Sequence, residues 1–213
     1  TGDGRKPQDL KILDAGCGLG RISVELAICG AQVTGVDLIQ PFLDAAKEAA
    51  SAENVSVEWV QADLRSFSRP AAFDVAINVY TSFGYCQTIE EDAEILRNIV
   101  QSLKPGGYFV LEMVGREIAV RDFTAGEWFE RAGYPVLTDF SVEGAWEGLR
   151  SHWQLYTKDG LKADHTFIQR LYAATELRQL MLSSGCNTVD IYGDFDRSPY
   201  NEHARTMILV GRK

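Results

Sequence analysis

Apolar and polar positions follow one another in short, alternating blocks along the first half of the chain. The segment LKILDAG (10–16) is a brief apolar run closing on glycine, which predicts a buried strand. Over 20–29, Ile22, Leu26 and Ile28 recur at helical spacing ahead of Gly30, predicting a short helix with a glycine stop. AQVTGVD is the next strand, and Pro41 sits in the first turn of a helix that runs to about Ala52. VSVEWVQAD and FDVAINVY read as strands three and four. Thr88 and Glu91 form a capping box before a helix that carries Ala93, Leu96, Val100 and Leu103 on one face. Lys104-Pro105-Gly106-Gly107 breaks that helix, and YFVLEMV follows as a fifth strand.

This β-α repetition predicts an α/β fold with a doubly wound sheet, mostly parallel, and helices on both faces. The rhythm changes after Glu117. Residues 134–172 are aromatic-rich and extended, and Asp159-Gly160 is a two-residue turn signal, so a β-hairpin is expected there. An insertion over about 126–172, after the fifth strand, is therefore expected to serve as a lid or a dimer face. The α/β pattern then resumes with a helix over 175–184, stopped by Gly185. NTVDIYG and ARTMILVG close the chain without a helix between them, so the last of seven strands is expected to run antiparallel. Residues 1–9 read as a flexible lead-in and residues 10–213 as one domain.

Composition narrows the function. The 213 residues carry a net charge of −9, which disfavours nucleic-acid partners, since these demand phosphate neutralisation. No apolar run is long enough for a membrane span and no signal peptide opens the chain. Cys17, Cys29, Cys86 and Cys186 make no metal-binding spacing, so reduced thiols in a cytoplasmic protein are expected.

The most informative stretch is KILDAGCGLGR (11–21), where a strand runs into Gly16, Gly18 and Gly20 and then a helix. Such glycines let the backbone turn tightly and approach a ligand. The spacing is G-x-G-x-G, not the dinucleotide G-x-G-x-x-G, and no G-K-[ST] marks a phosphate loop. Asp14, two residues before the first glycine, suits a cationic ligand better than a pyrophosphate. Asp37 ends the second strand, where an acid can accept from both ribose hydroxyls. Asp63 ends the third, where it could accept from an adenine amino group.

These pieces, with VTGVDL, VQADL, FDVAINVYTSFGY and LKPGGYFVLE, resemble the class I S-adenosylmethionine-dependent methyltransferases. The resemblance covers residues 10–115 and the closing strands. It implies that the Gly16-Cys17-Gly18 backbone faces the methionine part of S-adenosyl-L-methionine, with Asp14 near its amino group. Asp37 would hold the ribose, Leu38 would pack on the adenine, and Ala62, Asp63 and Leu64 would border the base. Asn78 and Tyr80 would flank the methyl group. Family members often carry helices ahead of the first strand, so restoring residues upstream of Thr1 is expected to tighten cofactor binding.

The implied activity is methyl transfer to a small organic acceptor through nitrogen, oxygen or carbon; a cofactor-binding module without turnover is the alternative. Tyr80, Phe83 and Tyr85, just past the fourth strand, are candidate substrate contacts, and aromatic faces there suit a cation. The segment Asn78-Val79-Tyr80-Thr81 lacks the proline pair that similar nucleobase methyltransferases carry. The loop GDFDRSPYNEH adds Tyr200, Asp194, Asp196 and His203; similar endings in the family often have glycine where Arg197 stands. His165, Tyr80 and Tyr172 are the candidate catalytic groups. A turn at Asp159-Gly160 puts His152 and His165 on one hairpin face, but no third ligand accompanies them, so no metal is expected.

Overall fold

A computed structural model describes residues 4–213. Of the lead-in expected over 1–9, residues 1–3 lie outside the described residues. Beyond them, Arg5 pairs with Asp74 at 2.9 Å and Pro7–Asp9 form a 3-10 turn.

Seven strands make the main sheet: β1 (Lys11–Ala15), β2 (Gln32–Asp37), β3 (Glu58–Gln61), β4 (Phe73–Asn78), β5 (Leu103–Met113), β10 (Thr188–Tyr192) and β11 (Met207–Arg212). Their order is β10-β11-β5-β4-β1-β2-β3, with β11 antiparallel to both neighbours and the first five strands parallel to one another. This is the doubly wound, mostly parallel sheet with an antiparallel last strand that the sequence predicts.

The helices follow their caps and apolar stripes. Thr88 accepts the Glu91 amide and Glu91 reaches back to Thr88, opening α3 (Ile89–Ser102). Such a cap stabilises a helix start by about 1 kcal/mol. Leu96, Ile99 and Val100 of α3, with Leu177 and Met181 of α5 (Ala174–Ser183), cover one face of β5 and β11. Leu13, Phe109, Leu111 and Leu209 from the strands complete this principal core. On the opposite face, α1 (Arg21–Ile28) and α2 (Gln40–Ala52) pack over β1–β3, where Leu10, Ile12, Ala31 and Val33 form a smaller core.

Between β5 and α5 the chain forms a short helix, α4 (Arg116–Arg121), and then four strands: β6 (Gly126–Arg131), β7 (Tyr134–Glu143), β8 (Gly148–Thr157) and β9 (Gly160–Arg170). The expected hairpin is present as the last two strands of this antiparallel meander. Its register differs from the expectation. The turn is Lys158-Asp159, Thr157 pairs with Gly160, and an irregularity at Leu155/Tyr156 shifts the ladder again. Gly160, with φ +108°, is thus spent as the first residue of β9. His152 lies opposite Thr166, and His165 opposite Trp153. Because side chains alternate along a strand, the two histidines occupy opposite faces, which corrects the shared face expected from an Asp159-Gly160 turn.

Candidate functional site

The loop after β1 is held by its neighbour strand. The amides of Gly16 and Cys17 both donate to the Val36 carbonyl, at 2.8 and 3.0 Å, and the Gly20 amide closes a turn on the Cys17 carbonyl. Gly16 and Gly18 adopt φ of +80° and +53°, and the space where a Gly18 side chain would begin is open. A Cβ on Gly16, by contrast, would press on Ser82 at 3.1 Å. The loop is therefore fitted to the protein on one side and open to a ligand on the other.

Asp14 and Asp37, at the ends of β1 and β2, border it, and Asp63 follows the end of β3. Asp14 is only 3% exposed and accepts from the Ser23 hydroxyl at 2.6 Å. Burial, with the nearby Asp37 charge adding to it, pushes its pKa up to about 6. Asp37 accepts the amides of Gly18 (2.8 Å) and Ile39 (2.9 Å), tying the glycine loop to the β2 end. A carboxylate has about four lone-pair sites, so acceptor capacity remains for hydroxyl donors. Leu38, 56% exposed, follows it as an uncovered apolar surface. Asp63 is engaged by Arg65, whose guanidinium reaches both its oxygens and continues to Glu91 at 2.6 Å. Hydrogen bonds from Arg65 hold the Asp63 carboxyl below the usual range. The Ala62 amide donates to the Asp37 carbonyl, and Leu64 packs on the main core. Burial raises the Cys17 thiol, and the charges of Asp14 and Asp37 raise it further, so it stays protonated.

At the end of β4, Asn78 is fully buried and donates to the Ala15 carbonyl at 2.7 Å, locking β4 to the start of the glycine loop. Its Oδ1 is buried with no hydrogen-bond partner among the described residues. Tyr80 and Thr81 both have φ near +57°, unusual for side-chain-bearing residues, and such strain collects at functional sites. Tyr80 is 61% exposed, and its amide donates to Glu112 of β5 at 2.6 Å. An orphaned buried acceptor, an open glycine face and a buried acid make an acceptor-rich pocket edge that fits the cationic, amine-bearing adenosyl sulfonium.

Other expected contacts lie elsewhere. Phe83 is 2% exposed and packs on Tyr172, with ring centroids 5.8 Å apart, so it is core and not a substrate wall. Tyr172 is itself buried and donates its hydroxyl to Asp92 at 2.7 Å. Burial, reinforced by Asp92, raises the pKa of that phenol, which makes Tyr172 a brace and a poor base. Tyr200 donates to Glu117 at 2.9 Å, and burial raises its pKa as well. Asp194 and Asp196 accept local amides from Phe195 and Ser198, and His203 is exposed beside Glu202. Arg197 has φ +66°, the conformation that the family's glycine at this place adopts readily.

Tyr85 stays at the surface and meets Phe167 of β9 edge-on at 5.9 Å. Phe167 leads to Trp153 (6.4 Å) and Trp153 to Phe129 (5.8 Å). The strand pairing puts His165 on this same face. The insertion is joined to the loop after β4: the Arg170 amide donates to the Gly84 carbonyl at 2.7 Å, and the Gln169 side chain to the Phe83 carbonyl at 2.9 Å. Sequence reasoning missed Arg65, Glu112 and Arg170. Glu112 and Arg170 meet partners far away in the chain, so no local signal marks them, whereas Arg65 joins Asp63, two residues before it, to the distant Glu91.

A family profile described as a methyltransferase domain matches residues 12–107. The Bacillus subtilis protein YqeM, which carries a methyltransferase name, is 31% identical, with 97% of this chain and 85% of YqeM covered. The cypemycin N-terminal methyltransferase of a Streptomyces species is 29% identical over 93% of this chain and 81% of its own. The crystal structure of an S-adenosylmethionine-dependent methyltransferase from Clostridium acetobutylicum superposes with a TM-score of 0.82 at 14% identity, covering 96% of this chain and 85% of that one. With the G-x-G-x-G loop, the strand-end acids and the sheet order on the same chain, this protein belongs to the class I S-adenosylmethionine-dependent methyltransferases.

Proposed function

We propose that this enzyme methylates a small organic acceptor through nitrogen, oxygen or carbon, in the space between the glycine loop and the insertion sheet. S-adenosyl-L-methionine supplies an electrophilic methyl on a cationic sulfur, so the protein's main task is alignment. Gly16, Cys17 and Gly18 would present their backbone to the methionine arm, and Asp14 would take its amine. Asp37 would accept from the ribose, Leu38 would cover the adenine, and Ala62, Asp63 and Leu64 would line the base. Asn78 would close the floor beside the methyl.

The observation that carries the acceptor class is the aromatic wall of Tyr85, Phe167, Trp153 and Phe129, which runs from the loop after β4 onto the insertion sheet. Such a wall offers π-faces to a flat or cationic acceptor. It also gives the insertion the role of a lid. His165, on the wall, is the proposed base for acceptors that must lose a proton, with Tyr80 bordering the methyl and Tyr200 at the rim. The chain's net charge of −9 supports a small acceptor over a nucleic acid. Four free cysteines support a cytoplasmic setting.

The test is a labelled-methyl assay with a metabolite mixture, preceded by calorimetry with S-adenosylhomocysteine. The proposal expects cofactor binding and label in low-molecular-weight products. Label confined to RNA or protein fractions would overturn the acceptor class.

A further inference from the structure

Arg21 opens α1 immediately after Gly20, and its guanidinium lies 4.2 Å above the centroid of the Tyr80 ring. Tyr80 is itself fixed, by the hydrogen bond its backbone N–H donates to Glu112 and by its left-handed backbone. Arg21 is thus held at the junction of the glycine loop and the β4 end. Among the described residues it has no carboxylate within ion-pair distance. Stacking on an aromatic face occupies the plane of a guanidinium and leaves its N–H edge free. That edge can take a carboxylate with two parallel hydrogen bonds.

We infer that Arg21, propped on Tyr80, is the anchor for the α-carboxylate of the cofactor's methionine arm. The inference rests on the proposed placement of that arm at the glycine loop. The two ends of the amino-acid group then divide between two residues of opposite charge: Asp14 beneath the loop takes the ammonium, and Arg21 at its exit takes the carboxylate. Arg21 is a binding and positioning residue. By fixing the arm it sets where the sulfonium carbon stands relative to Tyr80, and the same ring that holds the anchor borders the methyl. A side chain of another type at position 21 could not combine a cation–π contact with a two-point grip on an anion.

The test is isothermal titration of the full chain and its Arg21→Ala and Arg21→Lys variants with two ligands: S-adenosylmethionine and its decarboxylated form, which keeps the sulfonium and the amine. Arg21→Ala should weaken the first by about tenfold or more and the second by less than about twofold, with Arg21→Lys between. Unchanged melting temperature confirms that the exposed substitution leaves the fold intact. Equal affinity of Arg21→Ala and wild type for S-adenosylmethionine overturns the inference, as does an equal loss on both ligands. A wild-type chain that binds neither ligand overturns the cofactor site itself, and the anchor with it.

Discussion

Tyr172 donates its hydroxyl to Asp92 at 2.7 Å, in a region where neither residue meets solvent. Arg170 donates to the same oxygen at 3.1 Å, so one buried carboxylate gathers the end of β9 and the start of the α5 segment onto α3. Hydrogen bonds to a charged group are worth about 1.5–3 kcal/mol. Tyr172→Phe should therefore lower stability by about that amount in urea unfolding, while kcat stays within about twofold. A base in this position would instead cost on the order of 10²–10⁴ in rate. A large fall in kcat without a stability loss would restore Tyr172 to the chemistry.

Asp14 gives a prediction with a defined sign. Its folded pKa, about 6, is above the ordinary 3.8, so the folded state holds this proton more tightly than the unfolded chain does. The favourable contribution is complete below pH about 4 and disappears as pH rises through about 6. At neutral pH the buried charge costs up to about 3 kcal/mol. Asp14→Asn, which can still accept from Ser23, should raise the melting temperature of the ligand-free protein at pH 7–8 and change it little near pH 4. The same variant should bind the cationic cofactor more weakly. Wild-type affinity for S-adenosylmethionine should climb from pH 5 to 7, and the variant's should not. A flat wild-type profile in calorimetry would remove Asp14 from the site.

Gly20 faces a different constraint. It ends the loop at φ +76°, and a Cβ there would sit 2.5 Å from Trp59 Cη2 and 2.6 Å from the Ala46 methyl. The indole of β3 lies under the loop and also against Gly35, where a Cβ would approach it to 2.7 Å. Gly20→Ala combines a left-handed backbone cost of about 1–2 kcal/mol with overpacking of about 1–3 kcal/mol. Destabilisation of about 2–5 kcal/mol is expected in denaturant unfolding. Trp59→Leu should recover part of it by making room. No recovery would show that backbone conformation alone sets the cost.

The parts of this molecule that the sequence discloses are those written in local patterns. Strand and helix periods, the Thr88 cap, the glycine loop and the acids at strand ends all depend on neighbours in the chain. Sheet order follows from right-handed crossovers once the elements are known. What stays hidden is set by distant partners. Phe83 and Tyr85 are two residues apart and chemically alike, yet one is core and the other is wall, because Tyr172 arrives from far along the chain to cover the first. Asp63 reads as free for a ligand, yet Arg65, two residues on, takes both its oxygens in a geometry fixed by its second partner, the distant Glu91. The insertion's faces depend on a turn placed one residue from where its sequence suggests, plus one irregularity in the ladder.

That register decides the last prediction. His165 shares a face with Trp153 and Phe167, whereas His152 lies on the reverse side between Asp139 at 3.5 Å and Asp164 at 2.8 Å. The two histidines thus have different tasks although both sit on the β8–β9 hairpin. For an acceptor identified by the labelled-methyl screen, His165→Ala should lower kcat by about 10² or more if a proton must be removed. His165→Ala should leave the affinity for S-adenosylhomocysteine within about twofold, because the cofactor residues are on other elements. His152→Ala removes only surface contacts with Asp139 and Asp164, worth about 1 kcal/mol or less, and should leave kcat unchanged. Comparable losses from both substitutions would mean that the insertion acts as a rigid cover and that neither ring touches the acceptor. A loss from His152→Ala alone would place the acceptor on the opposite face of the sheet and reverse the assignment of wall and exterior.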